Sequence, residues 1–428
     1  VIRLVRVRQI ADQLRHRLSF VPTLYVLGAT ALAAAMLWID RSLGGRDLPE
    51  AIETTVDSAR SVFAAIAGGL ITSITLLLSM MLVTVQLASS QFSPRTLRDW
   101  LANRTLQHTV GLVLGTTVFC LLALRSTRSF EEPEVALVPH ITVIVAVVLG
   151  VLSLVAVVHA VDRITHGLRV GSVAERIASD TIDVIGRVFG PARPSPLPVG
   201  PESGAVHADG SVDVPIGALA VESPTSGWVQ QVDEQALLDA LPAGSTGYLV
   251  TPTGSFVGAR SPVLWIAPAP GDPVRSALLD AIAVGNSRTM QQDVEFGIIQ
   301  LTDVAVRALS PGVNDPGTAC DIIVHLGNVM NELWSYEAID TTRRSSSATL
   351  VSRQPTHAQL IDRAFGPILH YGGADREVVL TLRRVITLLL SEVQRRDLPG
   401  PIEPIEHLAR TLQSQTDEPR VVASDGDR

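Results

Sequence analysis

The chain has 428 residues, enough for a membrane domain plus one or two further domains, and its mean hydropathy is positive at +0.31. A net charge of −8 argues against a nucleic-acid partner, because it implies no broad basic face. All 34 basic residues are arginines, and the missing lysine excludes a Walker-A phosphate loop, Schiff-base chemistry and an attachment point for biotin or lipoate.

The chain opens on Val1 rather than Met, so a different natural N-terminus is expected. Residues 1–20 are Arg-rich with interspersed Leu, Val and Ile, and read as a basic amphipathic segment for the inner leaflet. The transmembrane domain is expected over 21–165, with spans at about 21–39, 62–89, 107–124 and 138–161, each near the 20 apolar residues that a helix needs to cross hydrocarbon. Trp38, Asp40 and Arg41 follow the first run where a cleaved signal would carry small residues, so it reads as a span.

From Ser61 to Pro94 no side chain is charged, a stretch of roughly 45–50 Å as one helix, longer than a bilayer requires. Gly68, Thr72, Thr75, Ser79, Gln86 and Ser90 share one helical row. Such a row has two readings: close helix packing with hydroxyls bonded back to the backbone, or a water-facing wall in an oligomeric pore. Gly111 and Gly115 form a GxxxG packing pair in the third span.

Arginines concentrate before the first span, between the second and third, and after the fourth, whereas the other two loops are acidic. The N-terminus and the long C-terminal region are therefore expected on the cytoplasmic side of a bacterial plasma membrane. His159, Asp162 and His166 share one face at the end of the fourth span. They are either an interfacial polar end or a weak metal or proton-relay candidate.

A helix is expected to continue to about Phe189, followed by the Pro-rich stretch Gly190–Pro201, so that 166–205 forms helix and linker. Residues 206–270 read as a β-rich cytoplasmic module. Its pieces Ser226–Asp233 and Pro252–Val263 resemble the halves of a barrel-sandwich domain of the biotinyl/lipoyl type, without the attachment lysine. Residues 271–412 read as a helical cytoplasmic domain. Helices are expected at about Pro273–Val284, Ser287–Leu309, from Pro316 to Tyr336, His357–Tyr371, Asp375–Arg396 and Ile402–Thr411, with Thr341–Thr356 as a surface loop and 413–428 as a disordered tail. Cys320 falls in this domain and Cys120 in the third span, so a disulfide between them is not expected.

The run Arg288–Ala319, with its Ser-Pro-Gly-Val-Asn-Asp-Pro-Gly turn, resembles the signature of the DUF2254 family of bacterial predicted membrane proteins. Gln91–Arg95 and the Gly227-Trp-Val-Gln segment fit the same resemblance. It implies an architecture and carries no activity. Asp293, Asp303, Arg307, Asn314, Asp315 and Asp321, with Arg288, are either a structural network locking this turn or a ligand or ion site where the helix after Pro316 presents free N–H groups.

No HExxH, CxxC, GxSxG or dinucleotide fingerprint occurs, and no internal repeat. The expected fold is therefore a four-helix membrane domain, a small β-rich module and a C-terminal helical domain. The first functional expectation is a non-enzymatic, channel-like homo-oligomer in the lipid bilayer, without cofactor or nucleic acid. A membrane-anchored sensor of a small cytoplasmic ligand or ion, or a scaffold, is the alternative. A membrane enzyme with an unrecognised site is the third.

Overall fold

The computed structural model describes residues 19–43, 55–91, 104–128, 140–167, 170–189, 212–269, 275–336 and 342–417. The N-terminal basic segment, the Gln91–Arg95 signature beyond Gln91, the Pro-rich linker and the last eleven residues lie outside them. The described residues fall into two compact units, 19–167 and 170–417.

Among the described residues the first unit has four helices: α1 (Phe20–Leu43), α2 (Val56–Gln91), α3 (Arg104–Arg128) and α4 (His140–Gly167). Each is long and apolar enough to cross a membrane, with candidate spans Phe20–Ser42, Val56–Gln86, Thr105–Thr127 and His140–Arg163. The third is the most buried and sits at the centre, against α1, α2 and α4. Gly111 and Gly115 explain how α1 comes so close. A Cβ on Gly111 would lie 2.7 Å from the Tyr25 ring, and one on Gly115 would lie 3.1 Å from the Tyr25 carbonyl. Phe63, Ala67, Phe119, Ala123 and Ala146 form the apolar centre, and Thr116 bonds Ser153 across it at 2.9 Å. With no water to take up a stray hydroxyl in hydrocarbon, that reciprocal bond is the way to bury both.

Asp40 does work that sequence reading assigned to no residue. Its buried carboxylate reaches from the end of α1 to the start of α4. There it accepts bonds from the Ile141 and Thr142 amides at 3.0 and 3.1 Å and from the Thr142 hydroxyl at 2.5 Å. Free N–H groups and the positive end of the α4 dipole stabilise the charge there.

The first described element of the second unit is α5 (Val170–Phe189); residues 168–169 lie outside the described residues. Eight strands follow: β1 (Leu219–Glu222), β2 (Gly227–Val232), β3 (Thr246–Leu249), β4 (Phe256–Val257), β5 (Pro262–Ala267), β6 (Ile282–Gly285), β7 (Thr342–Arg344) and β8 (Thr349–Ser352). They form a five-stranded sheet in the order β1-β5-β3-β8-β7 and a three-stranded sheet in the order β4-β2-β6. All pairs are antiparallel except β3–β8. Val229, Val257 and Ile282 of the smaller sheet share one core with Val221, Leu264, Ile266 and Leu350 of the larger. Two short helices, α6 (Glu234–Ala240) and α7 (Arg275–Asp280), add Leu237 and Leu278 to it.

The remaining helices are α8 (Val294–Ala308), α9 (Pro316–Leu333), α10 (His357–Gly372), α11 (Arg376–Arg395) and α12 (Pro399–Asp417). Ile298, Leu301, Ile322, Leu326, Phe365 and Ile386 are fully buried among them. Thr302 ties α8 to α10 by donating to the carbonyls of Arg363 and Ala364 at 3.1 and 3.2 Å.

Four expectations are corrected. Residues 342–352 are a β-hairpin, not a surface loop, because Leu350 and Val351 are buried and β8 pairs with β3. The helix expected over 273–284 is six residues long and gives way to β6, since Ile282-Ala-Val-Gly pairs with β2. The helix expected from Ser287 starts at Val294, capped by Asp293. The final helix also reaches Asp417, into the stretch expected to be a tail.

Replacing Asp40 with Ala should destabilise the four-helix unit by about 1–3 kcal/mol, the range for losing a charged cap with several bonds. Asn, whose amide oxygen still accepts, should lose less. Thermal unfolding in a fixed detergent measures both.

Candidate functional site

Two regions concentrate polar groups in unusual places. The first is α2. At about 100° per residue, Gly68, Thr72, Thr75, Ser79 and Gln86 fall within about 60° of one another. All five are exposed, whereas Ala59, Phe63, Ala67, Leu70 and Leu77, on the opposite side, are buried in the bundle. The polar row is thus turned away from the chain's own helices. Its hydroxyls donate to the preceding turn: Thr72 to Gly68 at 3.0 Å, Thr75 to Ile71 at 2.8 Å and Ser79 to Thr75 at 2.8 Å. Each oxygen keeps lone pairs for an outside partner. A Cβ on Gly68 or Gly69 would meet nothing within 4 Å, so the protomer's own packing demands neither glycine. Ser90 carries no described side chain.

The second region lies in the α/β unit, where a cleft of about 1020 Å³ opens between the β2–α6 corner, the start of α8, the β7–β8 hairpin, the end of α5 and the first turns of α10. Its floor near α8 is built by an ion-pair network. Arg288 holds Asp293 at 2.5 and 3.0 Å and Glu295 at 2.8 Å, and Glu295 also faces Arg363 at 3.3 Å. Asp293 is buried and caps α8 by accepting from the Phe296 amide at 2.9 Å. Burial pushes its carboxyl above the ordinary aspartate range, against the pull of the Arg288 bonds and the Phe296 amide. The Arg288 guanidinium also sits 5.3 Å over the Phe296 ring. Across the cleft, Arg343 pairs with Glu234 at 2.5 Å. Val232 donates its amide to Gln292 at 2.9 Å, so the smaller sheet and the start of α8 are joined directly.

The Thr253-Gly254 turn presses onto this network. Gly254 has φ +84°, and a Cβ there would run into the Asp293 carboxylate and come within 2.9 Å of the Arg288 guanidinium. Only glycine combines that conformation with that approach.

The structure divides the site residues expected from sequence. Asp293 stands at the N-terminus of α8. Asp315 stands beyond the other end, its amide bonded to the Ala308 carbonyl at 2.8 Å, about 22 Å away along a 15-residue helix. Asp303 and Arg307 lie between, half-buried and partnered. Asn314, at φ +48°, and Asp315 and Asp321 are exposed. Asp315 caps α9, accepting from the Thr318 amide at 3.1 Å and hydroxyl at 2.6 Å, and these bonds hold its carboxyl below the ordinary value of 3.8. His159 and Asp162 are exposed on α4, the His166 side chain is outside the described residues, and no group of three metal-ligating side chains converges among the described residues. Both cysteines are free.

Four helices able to cross a bilayer, followed by a two-sheet α/β unit, define an integral membrane protein. The chain belongs to the DUF2254 family of predicted membrane proteins, whose profile matches residues 15–387. Uncharacterised proteins of Mycobacterium bovis and Mycobacterium tuberculosis are each 27% identical to it over 395 residues, covering 89% of this chain and 73% of the relative. No solved structure matches.

Two outcomes test the geometry. Gly254→Ala should cost about 1–3 kcal/mol of stability in the α/β unit, read as a lower unfolding midpoint, because strain at a positive φ adds to the clash. Asp315→Ala should cost about 1 kcal/mol. The Asp315 contribution is complete above the ordinary value of 3.8 and is lost as pH falls through the lower folded value. The stability gap between wild type and Asp315→Ala should therefore close below pH 3.8 and stay constant above about pH 5.

Proposed function

We propose that copies of this protein assemble in a bacterial plasma membrane with the polar row of α2 facing a shared axis, forming a channel-like homo-oligomer. The N-terminus and the α/β unit lie on the cytoplasmic side in this reading, as the arginine distribution favours. The observation that carries it is the direction of the row: Gly68, Thr72, Thr75, Ser79 and Gln86 lie on the face of α2 opposite its contacts with the bundle. Two adjacent glycines on an uncovered helix face cost about 1 kcal/mol each relative to Ala, a cost offset where a second helix approaches closely. Hydroxyls already satisfied as donors still offer oxygens to water or a passing ion. The reading requires no catalysis, cofactor or nucleic acid. The barrel-sandwich resemblance of the smaller sheet and its neighbours suits an assembly element.

A second reading, a membrane-anchored sensor of a small cytoplasmic ligand, is favoured by the cleft of the α/β unit.

In a Cys120→Ala, Cys320→Ser background, Ser79→Cys should give intermolecular disulfides under mild oxidation in lipid, and Val155→Cys, on the apolar outer face of α4, should not. Liposomes holding the wild-type protein should pass ions. Thr75→Leu with Gln86→Leu should reduce that flux at least tenfold while the oligomer persists. A monomer in lipid, or flux unchanged in the double variant, removes the pore.

A further inference from the structure

We infer that the cleft of the α/β unit is a binding site for an organic polyanion, with Arg344 and Arg353 anchoring its anionic groups. The charge accounting of the walls carries the inference. Of the carboxylates that line the cleft, Asp233 caps α6 through the Ala236 amide at 3.0 Å, Glu234 is paired with Arg343, and Asp293 and Glu295 are held by Arg288 and Arg363. Asp233, although capped, and Asp362, exposed on α10, are the two lining carboxylates in no ion pair among the described residues.

The arginines are not used up in the same way. Arg344 lines the cleft from β7 and Arg353 from the residue after β8; both are exposed and form no ion pair among the described residues. Arg363 is 60% exposed while touching Glu295, and Arg187 spends only its Nε on the Asp183 carbonyl of its own helix, at 3.3 Å. Four guanidinium groups with unspent donors therefore line one concave surface on which three of the five carboxylates are already ion-paired. A guanidinium fork matches phosphate and carboxylate oxygens, two bonds at a time.

The cleft also has an apolar component, with Phe189, Leu238 and Leu360 among its lining, and amide side chains such as Gln231 and Gln354 beside it. Its volume matches a ligand larger than a bare inorganic anion. A phosphorylated or polycarboxylate metabolite fits this combination, and so does a phosphate-bearing lipid headgroup, which presents the same chemistry to the arginines. The inference deepens the ligand-sensor reading by naming the class of ligand, and it is independent of the pore.

The test is calorimetric titration of the full chain in phosphatidylcholine nanodiscs with ATP, inorganic triphosphate and citrate. At least one probe should bind saturably, with affinity falling as salt rises. Arg344→Gln with Arg353→Gln should weaken that binding about tenfold or more, the equivalent of one charge-assisted bond, at an unchanged melting temperature. The single Arg344→Gln variant should fall between. Repeating the titration in nanodiscs containing cardiolipin separates the sources: loss of probe binding there identifies a lipid headgroup at the same arginines, and unchanged binding identifies a soluble ligand. No saturable binding of any probe at about 1 mM, or binding indifferent to the double substitution, overturns the inference. Binding that leaves assembly and flux unchanged would keep the site and remove its role as a sensor.

Discussion

A helix in hydrocarbon has only its own backbone and its neighbours to bond with, and every other feature of the four-helix unit follows from that constraint. Thr116 and Ser153 satisfy each other in the centre, and Asp40 spends a buried charge on the amides at the start of α4. Gly111 and Gly115 face Tyr25, which leaves no room for a side chain. Against this economy, the outer face of α2 stands apart: its glycines face nothing, and its hydroxyls are only half used.

The α/β unit is organised around a different interaction, the Arg288–Asp293 pair. Asp293 is at once a helix cap, a buried anion and the surface on which the Gly254 turn rests. A buried carboxylate without Arg288 would be costly, and Arg288 in turn reaches Glu295 and so sets one wall of the cleft. Backbone conformation in a sheet turn, the start of a helix and the shape of a cavity are thus coupled through one guanidinium.

The spans were legible because length and apolarity suffice to mark a membrane helix, and the polar row of α2 was legible because a helix converts spacing into a face. The direction of that face was not, since the row is equally compatible with inside and outside. Only the burial of Phe63, Ala67 and Leu77 decides it. In the α/β unit, the turn chemistry around Ser226 and Thr253 marked the first strands. The later ones were concealed by composition. Thr349-Leu-Val-Ser is four residues long and follows a Ser- and Arg-rich stretch, and it becomes a strand by pairing with β3, about a hundred residues earlier. Arg344, in β7, was concealed for the same reason. Asp315 and Asp293 are neighbours in a sequence signature and stand at opposite ends of α8, because a helix of 15 residues separates what a short motif places together.

The parallel pairing of β3 with β8 has a consequence for how the chain is made. Residues 246–249 acquire their neighbour only when 349–352 have been synthesised, with two long helices, α8 and α9, produced in between. By then all four apolar helices have left the ribosome. The five-stranded sheet is therefore completed only after all four apolar helices have been made, and the open edge of β3 must be kept from other strands during that interval. The helices of the first unit need only local contacts to form, whereas the sheet of the second waits on a contact of long sequence separation, the slower kind to make.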